Sequence, residues 1–318
     1  MRTPVLALAL VTALAACGDK KADAPPKQAA APTATPPAAT PPPPPTPPAA
    51  EPPPSATPGM VGEIKLPLAP RTPGLAWTKT DELTSKMTIG SGAKQLVVDG
   101  SRRYVERIEI VELDDKGLVT KVKASYPERA DREQINDKPR DKTSPIAGKA
   151  YLVWTDGGAI KATHEDGSAV SPEELAELGE DLDELGKPRV MDEIVASRTW
   201  KIGETYELTA DELGRLNAIK SARAPRTTAM SLALTSVAPT RVDLAMKTTM
   251  QLEGKLAMTV HLDGTVALDP KTGQPLSLVL AGPAEGTAGG APVTGSMSGK
   301  VNYEYTPVAT PPAPTATP

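Results

Sequence analysis

Arg-Val-Asp-Leu-Ala-Met-Lys-Thr-Thr-Met-Gln-Leu at 241–252 and Leu-Ala-Met-Thr-Val-His-Leu at 256–262 decide the fold. In the first stretch Val242, Leu244, Met246, Met250 and Leu252 share one phase, with Thr248 interrupting. Arg241, Asp243, Lys247, Thr249 and Gln251 occupy the other, with Ala245. In the second, Leu256, Met258, Val260 and Leu262 alternate with polar or small residues. A period of two is the signature of a strand with one buried face. The pattern extends outward. Leu276, Leu278 and Leu280 follow a turn at Asp269-Pro270-Lys271-Thr272-Gly273. Over 293–305, Val293, Met297, Val301, Tyr303 and Tyr305 share a face with Gly295 and Gly299. With 227–237 this predicts five successive strands. Short connections make them antiparallel, and one wet face beside one dry face agrees.

Upstream, 104–113 and 118–126 flank Asp114-Asp115-Lys116-Gly117, a hairpin with a glycine-containing turn. A second hairpin joins 151–155 to 159–164 through Asp156-Gly157-Gly158. One amphipathic helix stands out. Ser171 and Glu174 form a capping box around Pro172, Leu175, Leu178, Leu182 and Leu185 recur at helical spacing, and Gly186 and Pro188 end it. Its other face is acidic: Glu173, Glu177, Glu180, Asp181 and Glu184. This helix is expected to cover the dry face of the sheet. A shorter helix starts at Thr209, where Glu212 repeats the capping spacing. The expected class is mainly β (α+β): an antiparallel meander, incompletely closed, because glycines in strands mark bends.

The 318 residues contain 36 Pro, of which 17 fall in residues 1–58 and 5 in 307–318. The 14 that remain are an ordinary content for the segment between. The chain therefore divides into 1–16, an export signal; 17–58, a Pro/Ala/Thr-rich tether; 59–305, a β-rich domain; and 306–318, a loose tail. The tether carries too few apolar side chains to offset chain entropy, and its prolines favour extended backbone. At about 3.1 Å per residue it reaches on the order of 100 Å. The alternative, a ligand for a proline-recognition groove, would want basic residues beside the prolines, and only Lys27 qualifies. A net charge of −4 argues against nucleic acid as a partner. A single Cys excludes an intramolecular disulfide and a multi-cysteine zinc site, and two His leave little for a metal centre.

That Cys ends Leu14-Ala15-Ala16-Cys17, after Arg2 and an apolar run over 4–14. The stretch resembles the lipobox of bacterial lipoproteins. The resemblance implies that the Cys17 thiol takes a diacylglyceryl group, that the signal is cut before it, and that the new amine receives a fatty acid such as palmitate. The partner implied is a lipid bilayer. Gly18 rather than Asp follows the Cys, which in that family favours the outer membrane, with the domain facing the periplasm. An ordinary secretory signal with Ala13-Leu14-Ala15 as its cleavage site is the alternative. In architecture alone, the folded part resembles the half-barrel carrier and lipid-binding lipoproteins of bacterial envelopes.

Catalytic patterns are fragmentary. Ser91-Gly92-Ala93-Lys94 and Lys271-Thr272-Gly273 look like two motifs of penicillin-binding proteins, in which Ser attacks an acyl carbonyl. Their context is wrong: the first runs into a strand and the second falls in a turn. Gly295-Ser296-Met297-Ser298-Gly299 has Met where an elbow needs a nucleophile. Asp181-x-Asp183-x-x-Gly186 starts like a calcium loop, but Leu185 supplies no ligand. His164 is expected in an exposed turn and His261 on the wet face. Trp77, Trp154 and Trp200 read as packing residues. No cofactor site is expected. The leading expectation is a non-enzymatic, membrane-anchored envelope protein that binds an apolar ligand, such as a lipid, or an envelope protein. The alternatives are a structural module with a filled core and a serine acyl hydrolase using Ser91 and Lys94.

Overall fold

The computed structural model describes residues 62–306 apart from 93–94, 141, 220–223 and 255. The lipobox, the tether, Lys94 and the tail beyond Thr306 lie outside the described residues. The dominant feature is one open antiparallel sheet of 13 strands. In chain order the long strands are β2 (Ala76–Ile89), β3 (Leu96–Leu113), β4 (Val119–Ile135), β11 (Arg226–Ala238), β12 (Arg241–Leu252), β13 (Leu256–Leu268), β14 (Pro275–Ala288) and β15 (Ala291–Thr306). The shorter ones in this sheet are β5 (Lys138–Pro139), β6 (Lys142–Thr143), β7 (Ala150–Asp156), β8 (Ala159–His164) and β10 (Thr205–Glu207). The sheet runs β10-β11-β12-β13-β14-β15-β2-β3-β4-β7-β8, with β5 and β6 also on β4. A separate pair joins β1 (Glu63–Lys65) to β9 (Thr199–Lys201). The five C-terminal strands form the meander that their alternation dictates. The sheet does not close, since β10 and β8 are its two edges.

Glycine sets the curvature. A Cβ on Gly264 would lie 2.8 Å from the Val279 carbonyl carbon and 2.9 Å from the Leu280 Cα, with the Val279 oxygen nearer still. Gly282 meets His261 of β13 in the same way, Gly286 meets Met258 and Gly295 meets Met87. Neighbouring backbones approach too closely there for any side chain, which is the requirement of a tightly coiled sheet.

Among the described residues three helices lie against the inner face: α1 (Pro172–Asp181), α2 (Val190–Ala196) and α3 (Ala210–Ala218). Both predicted capping boxes are present, Ser171 with Glu174 and Thr209 with Glu212. The expectation of one helix over the dry face is corrected in two respects. α2 and α3, not α1, cover the β11–β15 side, where Val190, Met191, Ile194, Val195 and Leu216 join the large core. α1 covers only the β4–β7–β8 side, through Leu178 and Leu182. α2 escapes the eye in the sequence because its N-cap, Arg189, makes no side-chain cap bond. The folded segment also runs one residue past 305, since β15 includes Thr306.

The apolar side chains form two separate clusters. The larger gathers 33 buried residues among those described, from β11–β15, the upper parts of β2 and β3, α2 and α3. The smaller gathers 11, from the lower parts of β3 and β4, β7 and α1. On the large side the inner face is closed over: Val242, Leu244, Val260, Leu262 and Leu280 are all at most 1 % exposed. Thr248, which breaks the alternation, is also buried and donates its hydroxyl to the Ala229 carbonyl oxygen at 3.3 Å.

Candidate functional site

Between the two clusters the inner face turns polar. The ladder fixes which residues share it. Val301 of β15 pairs with Asp81 of β2, Asp81 with Tyr104 of β3, and Tyr104 with Arg129 of β4. One row toward the β2–β3 turn, Leu83 pairs with Arg102 and Arg102 with Asp131. One row the other way, Tyr303 pairs with Lys79 and Lys79 with Glu106. Lys79, Asp81, Arg102, Tyr104, Glu106, Arg129 and Asp131 therefore form a belt across β2, β3 and β4, in phase with Met87 and Val98 above and Ile108 and Ile110 below.

Each charge in the belt is answered. Lys79 pairs with Glu106 and lies 3.9 Å from Asp81. Arg102 reaches Asp81 at 3.0 Å. Tyr104 donates to Asp131 and lies between two guanidinium groups, Arg129 at 4.1 Å and Arg102 at 4.7 Å from the ring centroid. Cations over an aromatic face gain from its quadrupole. Burial, reinforced by the Asp131 hydrogen bond, pushes the Tyr104 phenol above its ordinary range.

Arg129 ties the belt to α1. Its Nε sits 3.0 Å from Glu177 Oε1, a close ion pair without hydrogen-bond alignment, and its Nη1 lies 3.3 Å from Asp181 Oδ1. Burial opposes the guanidinium charge, but Asp181, Tyr104 and Glu177 outweigh it and raise the Arg129 pKa. Tyr126 donates to Asp181 at 2.9 Å, and Ser144 donates to Glu177 at 2.6 Å. Of the acidic helix face, Glu177 and Asp181 thus turn into the protein, as does the capping residue Glu174. Asp181 serves an arginine and a tyrosine, which accounts for it without a calcium ion.

Glu174 is the second junction. Its carboxylate accepts from Lys149 Nζ at 2.8 Å, Tyr151 Oη at 2.9 Å and the Ser171 backbone N–H at 2.7 Å. The Lys149 bond first, then the Ser171 and Tyr151 bonds, hold its pKa down at about 2. His164 corrects the expectation of an exposed turn: it ends β8, half-buried, stacked on Tyr151 at 5.0 Å and 3.6 Å from Glu174. His261 is exposed on the outer face, with Nδ1 3.1 Å from the Thr249 hydroxyl.

The acyl-hydrolase fragments do not converge. Ser91 is exposed in the β2–β3 turn, at the end of the sheet where β14 turns into β15. Lys271, Thr272 and Gly273 lie in the β13–β14 turn at the opposite end, closed by the Gly273 N–H to the Asp269 carbonyl at 2.8 Å. Strands of 13 and 14 residues separate the two ends, a span of about 40 Å. Gly295, Met297 and Gly299 lie on the inner face of β15, as alternation requires. Trp200 is buried and donates Nε1–H to the Val195 carbonyl at 2.9 Å. Trp77 tilts against Tyr305 at 6.4 Å.

The belt was not anticipated in the sequence. Its signal was present, as charged residues at 79, 81, 102 and 106 in phase with apolar neighbours on the same strands. Among the described residues no group of carboxylates, His or Cys has the arrangement of a metal site.

No protein-family model matches the chain, and no curated protein matches it. Among solved structures, the fold is similar to one described as "lipid-protein interactions in lipovitellin", with a TM-score of 0.39 and 9 % identity. The likeness covers 76 % of this chain and 26 % of that one, so the chain spans about a quarter of lipovitellin's length.

Proposed function

We propose that this chain is a lipid-anchored, non-enzymatic protein of a bacterial envelope, whose half-barrel binds an apolar ligand or an envelope partner. The observation that supports it best is the placement of the folded segment's two ends. Ala76 pairs with Thr306 and Pro67 packs against the β13–β14 turn, so β2 begins and β15 ends at one end of the sheet, and Gly62 bonds Ile202 beside Leu234, in the half of β11 nearer that end. A tether running from Cys17 would hold that end toward the membrane and present the β2–β3, β12–β13 and β14–β15 turns outward. The sheet's inner face is apolar with a polar belt at its border, and an amphipathic ligand would enter it by displacing the side chains that now close it. A Cys17→Ala variant should remain unprocessed or leave the membrane fraction. Normal signal cleavage together with unchanged membrane retention in that variant would sink the anchoring.

The closed packing on the large side favours a second reading, a structural module with a filled core. Native mass spectrometry after gentle detergent extraction separates the two. A bound lipid-sized mass, released on denaturation, supports the binding reading. A bare polypeptide mass in repeated preparations supports the module.

A further inference from the structure

We propose that the half-barrel opens along its polar belt, with the small unit (the lower parts of β3 and β4, β7, β8 and α1) swinging as one flap away from the large unit. This holds whether or not a ligand is carried. Three observations converge on it. First, the two apolar clusters share no residue, although β3 feeds both: Val98 belongs to the large one, Ile108 and Ile110 to the small one. Between them on that face stand Arg102, Tyr104 and Glu106. A border of buried ion pairs adds little net cohesion, because desolvation offsets most of the attraction. Parting the clusters there costs less than splitting either one.

Second, the ladder is already weakened at that level. The β3–β4 register shifts between Val105 and Arg107, beside Tyr104 and Glu106. A bulge interrupts pairing and lets strands bend. Third, α1 moves with the small unit. Tyr126 of β4, Tyr151 of β7, His164 of β8 and the Ser144–Lys149 segment all grip it, and Arg129, in the belt, is its tie to the large unit. The chain then crosses back at 182–189, through Gly186 at φ +76°, and Lys187 Nζ donates to the Ile219 carbonyl at 2.6 Å on the far side. The flap thus has two pivots, the β3–β4 bulge and Gly186.

Hydrogen exchange with mass spectrometry on the full chain, in water and in sub-denaturing urea, tests this. Backbone amides of β7, β8, α1 and residues 119–126 should exchange through one common opening, at least about 100-fold faster than those of β12–β14. Protection of the same order in both units would overturn the flap. So would fast exchange in α1 alone with β7 and β8 as protected as β12–β14, since that is helix fraying. Arg129→Met should speed exchange throughout the small unit by about tenfold or more and leave β12–β14 unchanged. A parallel rise in both units counts against the proposal, as does no change in either. If that variant fails to fold, the parent comparison decides the matter alone.

Discussion

Gly264→Ala is the sharpest test of how the sheet is bent. Gly264 pairs with Met246 on one side and Leu280 on the other, in the interior of β13. Its φ is not in the left-handed region, so the backbone itself would accept alanine. The obstacle is space: the new Cβ falls within 3.0 Å of two β14 backbone carbons, where Cβ atoms are not found. Backbone on a paired strand cannot step aside as a flexible side chain can. Relief requires the β13 and β14 ladders to part locally, losing one or two hydrogen bonds at about 1 kcal/mol each. Strain at the new contact adds about 1–3 kcal/mol. Restricting the unfolded chain returns about 0.4–1 kcal/mol. The net cost is about 1–4.5 kcal/mol, centred near 3, where the fall in Tm is roughly 6–12 °C for a domain of this size. Urea denaturation followed by circular dichroism measures it. A variant within about 0.5 kcal/mol of the parent would refute the claim that close backbone approach, rather than conformational freedom, selects glycine here.

Gly214→Ala supplies the contrast: it lies exposed inside α3 with nothing within 4 Å of the new methyl, so it should stabilise by about 0.5–1 kcal/mol in the same assay. Asn217→Ala should cost about 1–2 kcal/mol, because its amide accepts the Thr227 N–H and donates to the Thr227 carbonyl, both at 2.8 Å. Exchange at the start of β11 would rise with it, and Asp at the position should restore the acceptor half. Glu174 makes stability depend on acid. Its folded pKa of about 2 lies below the ordinary 4.5, so its contribution is complete above pH 4.5 and is lost as pH falls toward 2. Glu174→Gln should therefore be less stable than the parent at neutral pH, with the gap narrowing through that window; a gap independent of pH would contradict the assignment.

What the sequence displays and what it hides follow one physical rule. The β11–β15 meander was legible because its inner face is apolar at nearly every position, from Val242 to Val301. The β7–β8 hairpin and the caps of α1 and α3 were legible because turn and capping chemistry is local. β2 was not, since Lys79 and Asp81 face inward while Thr80 and Glu82 face water, and alternation of polar with polar carries no period. For the same reason only the lower half of β3 stood out, where Ile108 and Ile110 return. The partners of the acidic face of α1 were hidden because Arg129 lies 48 residues before Glu177 and meets it only through the fold. Gly264 and Gly282 could be noticed as strand glycines, but the carbonyls they make room for belong to other strands.

The last described strand is not an edge but the keel. β15 sits between β14 and β2, and its 14 paired positions with β2 are what joins the N-terminal half of the sheet to the C-terminal half. Until residues 291–306 have left the ribosome, β2 has no second neighbour and the two halves have no common backbone seam. A chain with this strand order stays unfinished during synthesis, which is the condition that export through a translocation pore, if the proposed signal is used, would require. It also makes the C-terminus unforgiving. Loss of the final 28 residues would remove a central plank and leave two half-sheets, each with an unpaired edge more than ten residues long, open to pairing with another copy.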